Sequence, residues 1–302
     1  MAEFFKKTHR VVGTYYQNQV NIEGVLTLEC NVLNKEEIQK IMLIAKPDFV
    51  IYCIGMSTVK ECDQSPHQAD VLNNQSLYTV SEYSARHGAR FVYLSSGFVF
   101  SGQKKSYNEG DNVDPTTHLG KTLANAEFYL QKSSLNFLIL RTSRLYGRGI
   151  SATKLTWFEK LERALASQNT IEMDDSIKFG FIDIYYVCMI LKILIDKNVQ
   201  NRLVHVSSTD QLTFFEFAQK YAAEFKASKS LINKTRWNLP LSKILSVEEI
   251  IDSVLKLEVG NLENFLRIQM PSISESLKFT HDRQLAKSYE EFKQVLSLVA
   301  EE

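Results

Sequence analysis

Between Arg10 and Val206, short runs of β-branched and aromatic residues take turns with stretches of helical period. Strands that alternate with helices in this way are joined by crossovers rather than hairpins, which selects an α/β fold with a parallel sheet. Strands are predicted at Arg10–Tyr16 (RVVGTYY), Phe49–Ile54 (FVIYCI), Arg90–Ser95 (RFVYLS), Asn136–Arg141 (NFLILR) and Arg202–Val206. The second of these is apolar throughout, as expected of a strand buried on both faces. Helices are predicted over Lys35–Lys46, capped by Asn34 and stopped by Pro47, over about His67–His87, ended by a left-handed cap at Gly88, and over His118–Gln131. The result is a doubly wound, Rossmann-like sheet.

Past Gly149 the pattern loosens. A helix is predicted near Ala152–Ala166, a strand near Lys178–Asp183, a helix over Ile184–Ile195 and an amphipathic helix over Thr213–Phe225. The tail from Ser228 carries helical patterns at Val247–Leu257 and Tyr289–Val299 and little strand character. We expect a nucleotide-binding lobe over 1–150, with sheet strands continuing to about 206, and a smaller substrate-type lobe over 151–302, mainly helical after 210.

Charge and composition remove several classes of function. Thirty-five Lys and Arg balance thirty-five Asp and Glu, so the basic footprint of a nucleic-acid binder is absent. The four cysteines (Cys30, Cys53, Cys62, Cys188) form no C-x-x-C pair and read as reduced, buried thiols of a cytoplasmic protein. The six histidines never recur at metal-ligand spacing, so no metal is expected. The longest apolar stretch, Val187–Ile195, is interrupted by Lys192 and is far too short to span a membrane.

In a doubly wound sheet, ligands bind outside the carboxyl ends of the strands. Those ends carry Ile54-Gly55, Ser95-Ser96 and Arg141-Thr142-Ser143. The segment Phe91–Glu127, with SSGFVFSG at Ser95–Gly102, together with KPDFVIYCIG at Lys46–Gly55, the Ala69-to-Asn73 spacing and LRTSRLYG at Leu140–Gly147, resembles the extended short-chain dehydrogenase/reductase superfamily. More narrowly, it is similar to the dTDP-4-dehydrorhamnose reductase family, over about residues 8 to 225. The resemblance implies NAD or NADP as cofactor, a keto-sugar nucleotide as substrate, and a possible homodimer or protein partner. It places Tyr15, Asn31, Val32, Cys53, Ile54, Gly55 and Asn73 along the cofactor. On the substrate side it places Ser95, Arg141, Tyr146 and Arg236.

Members of that family use a Ser or Thr, a Tyr, and a Lys four residues after the Tyr. Residues i and i+4 share a helix face, so the ammonium lowers the phenol's pKa from its usual value of about 10 and the phenol acts as general acid. Here the Ser/Thr falls on Ser96, but Leu119 and Leu123 stand at the Tyr and Lys positions. His118 and Lys121 lie about 100° and 200° around the helix from Leu119 and should face elsewhere. A second departure concerns the start. None of the twelve glycines precedes Gly13, so the family's first strand and G-x-x-G-x-x-G turn would lie before Met1. Either a longer reading frame supplies them or the sheet lacks its central strand. A gap of roughly 9–10 Å would then open mid-sheet. Unpaired backbone is costly, so Arg10–Tyr16 is expected to close up against Phe49–Cys53, or another segment to fill the space.

Each candidate has a plainer reading beside the functional one. Asn31 is an adenine contact or the start of the turn to Asn34. Gly55 admits a cofactor or merely turns the chain. Ser96 is a vestigial catalytic group or a structural hydroxyl, and Arg141 meets a ligand or a carboxylate under the sheet. Tyr146 lines a sugar pocket or packs. Lys234, Arg236 and Trp237 grip a nucleotide diphosphate or form a solvated loop. Tyr15 and Tyr16 offer neither the acid that selects NAD nor the arginine that selects NADP. The expected function is a degenerate, non-catalytic nucleotide or nucleotide-sugar binding or regulatory protein. The alternative is an NAD(P)-dependent reductase or epimerase of a 4-keto-deoxysugar nucleotide in polysaccharide precursor synthesis. A weaker third reading is a folded gene remnant without a ligand.

Overall fold

The computed structural model describes residues 1–149, 154–236 and 254–285. They form two compact units: Met1–Val99 with Val113–Arg141 and Cys188–Leu203, and Phe100–Asn112 with Thr142–Val187 and Val204–Glu302.

The first unit opens with a short helix, α1 (Ala2–Phe5), followed by strands β1 (Val12–Tyr15) and β2 (Leu26–Glu29), helix α2 (Lys35–Ala45) and strand β3 (Phe49–Tyr52). Asn34 caps α2 by accepting the Glu36 and Glu37 N–H groups at 3.0 and 3.4 Å, and Lys46 ends it in the left-handed region at φ 44°. Next come α3 (Val59–Gln64), α4 (Pro66–Asp70), a π-turn over Val71–Gln75, α5 (Ser76–Arg86), β4 (Arg90–Ser96), α6 (His118–Lys132) and β5 (Phe137–Thr142). The helix predicted from His67 to His87 is therefore interrupted by an i→i+5 turn, which lets Asn73 point inward. Gly88 closes α5 at φ 70°.

Four strands form one sheet in the order Arg202–Val206, β5, β4, β3, while β1 and β2 form a separate parallel pair. β3 and β4 run parallel, with Phe49 opposite Arg90 and Tyr52 opposite Tyr93. Ile38 and Met42 of α2, Leu77 and Val80 of α5, and Ala126 and Leu130 of α6 pack with Tyr52, Phe91, Tyr93 and Ile139 into one core. Within it the Tyr52 hydroxyl bonds Ser76 Oγ at 2.6 Å, yet burial pushes its pKa up to about 12.

The expected closure of β1 onto β3 does not occur, and no strand among the described residues lies between them. Instead a cavity of about 490 Å³ separates the two, lined by Val12–Thr14, Phe49–Ile54 and the surrounding helices. β1 is braced where it stands: Arg10 Nη2 donates to the Ile44 carbonyl at 3.2 Å, and Phe5 of α1 is buried beside the cavity.

In the second unit, Gly180 splits the predicted Lys178–Asp183 strand into Lys178–Phe179 and Phe181–Asp183. A Cβ at Gly180 would lie 2.2 Å from Ser207 Oγ. The tail contains more strand than expected. Ile232–Thr235 pairs with Ile171–Asp174, and Val254–Leu255 with Lys178–Phe179. Helices Gly260–Leu266 and Ile273–Leu285 supply its helical portion. The helices predicted at Val247–Leu257, before Val254, and at Tyr289–Val299 lie outside the described residues. No helix among the described residues is long and apolar enough to cross a membrane. Of the four free cysteines, Cys30, Cys62 and Cys188 are buried and Cys53 is exposed.

Candidate functional site

The carboxyl ends of β3 and β4 meet the start of α6 within the first unit, and a polar chain ties them together. Asn73 in the π-turn accepts the Met56 N–H at 2.8 Å and donates Nδ2 to the Met56 carbonyl and to Thr122 Oγ1, at 3.2 and 2.9 Å. Thr122 in turn donates to the Leu119 carbonyl at 2.8 Å. Gly55, at φ 146°, is required by this clamp, because a Cβ there would sit 2.5 Å from Asn73 Oδ1. The space a side chain would take at Gly55 is thus occupied by protein.

The first turn of α6 is pressed against the turn that follows β4. A Cβ at Gly120 would lie 2.1 Å from the Phe98 carbonyl oxygen, so only glycine allows this approach. Thr117 caps the helix by accepting the Gly120 N–H at 3.0 Å. Ser96 is half-buried, and its hydroxyl accepts the Phe98 N–H at a long 3.5 Å. Leu119 is buried, and Leu123 packs against the core. No proton-carrying side chain occupies either position. The His118 ring instead reaches the Pro66 carbonyl at 3.1 Å and Asp70 Oδ1 at 3.4 Å, while its backbone N–H donates to Asp63.

Ser95 and Arg141, both placed on the substrate side by sequence, converge on Glu127. The guanidinium donates Nε and Nη2 to the Glu127 carboxylate at 2.7–3.1 Å, and Ser95 Oγ donates to Oε1. Arg141 is 3% exposed and Glu127 1%, so each charge depends on the other for solvation. Glu127 and Thr122 were not among the sequence candidates. The signal for Glu127 was its place on the Leu119, Leu123, Ala126, Leu130 face of α6, where a lone carboxylate requires a partner.

Of the cofactor-type positions, the cavity between β1 and β3 gathers Val32, Cys53 and Ile54. Cys53 Sγ lies 3.9 Å from Met1 Sδ. Tyr15 pairs with Glu29 in the β1–β2 ladder. Asn31 forms a local turn, its Oδ1 accepting the Leu33 N–H at 3.0 Å and its own N–H donating to Glu37 at 2.7 Å. In the second unit, the buried Tyr146 hydroxyl bonds Ser276 Oγ at 2.6 Å. Burial first, and the nearby Asp183 second, push that phenol well above its usual range. Asp183 is held by Arg283 at 3.0–3.1 Å and by Thr280 at 2.6 Å. Arg236 is exposed just after the Ile232–Thr235 strand, and Lys234 pairs with Asp175 at 2.7 Å. Trp237 lies outside the described residues. Among the described residues, no group of three or more His, Cys, Asp or Glu could hold a metal ion.

The family model of the RmlD substrate binding domain matches residues 4–243. Methionine adenosyltransferase 2 subunit beta of Bos taurus is 25% identical over 207 residues, covering 67% of this chain and 62% of that protein. The chain thus spans less than two thirds of the length of such curated relatives. dTDP-4-dehydrorhamnose reductase of Aggregatibacter actinomycetemcomitans is 24% identical over 207 residues, 68% of this chain and 70% of that one. Among solved structures, dTDP-4-dehydrorhamnose reductase of Bacillus anthracis in complex with NADP superimposes with a TM-score of 0.74 at 19% identity, covering 91% of this chain and 100% of that one. UDP-glucose 4-epimerase of Thermotoga maritima with UDP-glucose gives 0.76 at 14% identity, covering 94% of each. These structures share the fold: a Rossmann-like parallel α/β sheet with a helical carboxyl-terminal portion.

Proposed function

This chain belongs to the RmlD substrate binding domain family, and we propose that it is a non-catalytic member, a nucleotide-sugar binding or regulatory protein rather than a reductase. The observation that carries this reading is Leu119, buried, with Leu123 four residues on, at the positions where family reductases hold phenol and ammonium. Hydrocarbon side chains cannot deliver a proton to a carbonyl oxygen, and general acid catalysis of that kind is worth about 10²- to 10⁴-fold. His118 is engaged with Pro66 and Asp70 and offers no substitute. Ser96 has neither a Tyr at 119 nor a Lys at 123 to work with.

A nicotinamide cofactor, where a reductase of this family binds one, supplies the hydride. The residues present do not fit its pyrophosphate. After β3, Gly55 faces Asn73 rather than open space, so the backbone there offers a pyrophosphate no close approach. Arg141 and Ser95 serve Glu127. The relative from Bos taurus is by name a subunit of an assembly, which supports a role through partner binding. Titration of the protein with NADPH and NADH, followed by nicotinamide fluorescence, tests the reading. It predicts no saturation up to millimolar cofactor, and saturable binding in the micromolar range would return the reductase reading to first place.

A further inference from the structure

In the second unit, Asp183 and one face of helix Ile273–Leu285 form a cluster of their own. Asp183 closes the Phe181–Asp183 strand and caps helix Ile184–Asp196, its Oδ1 accepting the Tyr185 N–H at 2.8 Å. Its Oδ2 accepts the Thr280 hydroxyl at 2.6 Å, so two bonds fix the carboxylate independently of any cation. Tyr185 and Tyr186 follow directly, and Phe279 stands against both, with ring centroids 5.7 and 5.0 Å away. Phe279, Thr280 and Arg283 share a face of their helix, Arg283 being four residues after Phe279 and three after Thr280. The Arg283 guanidinium fills this frame. Its Nη1 and Nη2 donate to Asp183 Oδ1 and Oδ2 at 3.1 and 3.0 Å, and its Cζ lies 4.6 Å from the Tyr185 ring centroid and 5.3 Å from that of Phe279. A buried carboxylate beside aromatic faces is receptor chemistry for a cation. The two parallel bonds select a guanidinium, because an ammonium presents only a point charge.

We propose that Asp183, Tyr185, Tyr186 and Phe279 form a guanidinium-binding site that the chain's own Arg283 holds shut. The ligand it takes is an alkylguanidinium, supplied as free arginine or as an arginine side chain of another polypeptide. Receptor and occupant are held differently. The carboxylate and the two tyrosines sit at a strand-to-helix junction, and the Asp183 side chain is 0% exposed. Arg283 reaches it on a long flexible side chain that is 27% exposed, so the occupant is open to solvent while the receptor is not. An occupant tethered in the same chain acts at high effective concentration. A free guanidinium therefore competes at a disadvantage in the intact protein and at none once the Arg283 side chain is removed. The site stands on the second unit alone and is independent of whether the protein binds or consumes a nicotinamide cofactor.

The test follows thermal unfolding of the 302-residue protein and of Arg283→Ala during titration with ethylguanidinium, L-arginine and the peptide acetyl-Gly-Arg-Gly-amide. Ethylammonium and L-lysine at equal ionic strength are the controls. A ligand that binds the folded chain raises the melting temperature saturably. Arg283→Ala should respond to all three guanidinium compounds and to neither control, and adding Asp183→Asn should abolish the response. The wild type should bind L-arginine about tenfold or more weakly than the variant, with hydrogen exchange over 281–285 speeded as Arg283 is displaced and unchanged over 137–142. Equal responses to arginine and peptide support free arginine as the source, and a peptide about tenfold tighter supports a polypeptide. The proposal is overturned if the controls act as well as the guanidinium compounds or if the response survives Asp183→Asn. Where Arg283→Ala does not fold, the wild type decides alone: exchange over 281–285 that L-arginine leaves unchanged up to about 100 mM makes the pair a structural brace and overturns the proposal.

Discussion

Leu119, Gly120 and Glu127 show how single side chains shape α6, two of them by close packing and one by a buried charge. Gly120 keeps the helix seated on the Phe98 carbonyl, so the frame that presents residue 119 is intact although residue 119 carries no acid. Replacing Gly120 with alanine should cost about 3 kcal/mol through overpacking against backbone, read as a lower urea midpoint with unchanged slope. An unchanged midpoint would mean that the helix is not held there. Glu127→Ala should cost about 3–5 kcal/mol, because it strands the buried Arg141 charge. Replacing the pair together with apolar residues should cost less than that single change. Arg141 and Ser95 would then be structural groups, whatever ligand the sheet accepts.

At the scale of elements, the π-turn over Val71–Gln75 matters most, because it turns Asn73 toward Met56 and Thr122 and so fixes the loop after β3 to α6. Asn73→Ala should destabilise by about 1–3 kcal/mol, leaving the Met56 N–H without its acceptor, and should speed exchange over 54–58 more than over β5. Uniform acceleration across the unit would assign Asn73 a general rather than a local role. Elements of this kind were only partly legible in the sequence. The apolar runs gave β3, β4 and β5 to within a residue or two, and Asn34 and Gly88 marked helix ends by chemistry that acts locally. The π-turn left no such mark, since one inserted residue in a helix is stabilised by contacts 17 and 49 residues away. β2 (LTLE) was missed because its exposed Leu26 and Glu29 blur the alternation of an edge strand. Ile232–Thr235 was missed because its polar Asn233, Lys234 and Thr235 are strand only by pairing with Ile171–Asp174. The buried Glu127 cluster joins residues 14 and 32 positions apart, so its parts were visible and its assembly was not.

For the whole molecule, the leucines at 119 and 123 favour a binding over a turnover role. The most direct test of that role is NADPH consumption by the purified wild-type protein with a dTDP-4-dehydro-6-deoxy sugar. The leucines at 119 and 123 predict no consumption above the protein-free rate at any substrate concentration, whereas saturable, protein-dependent consumption would contradict the account.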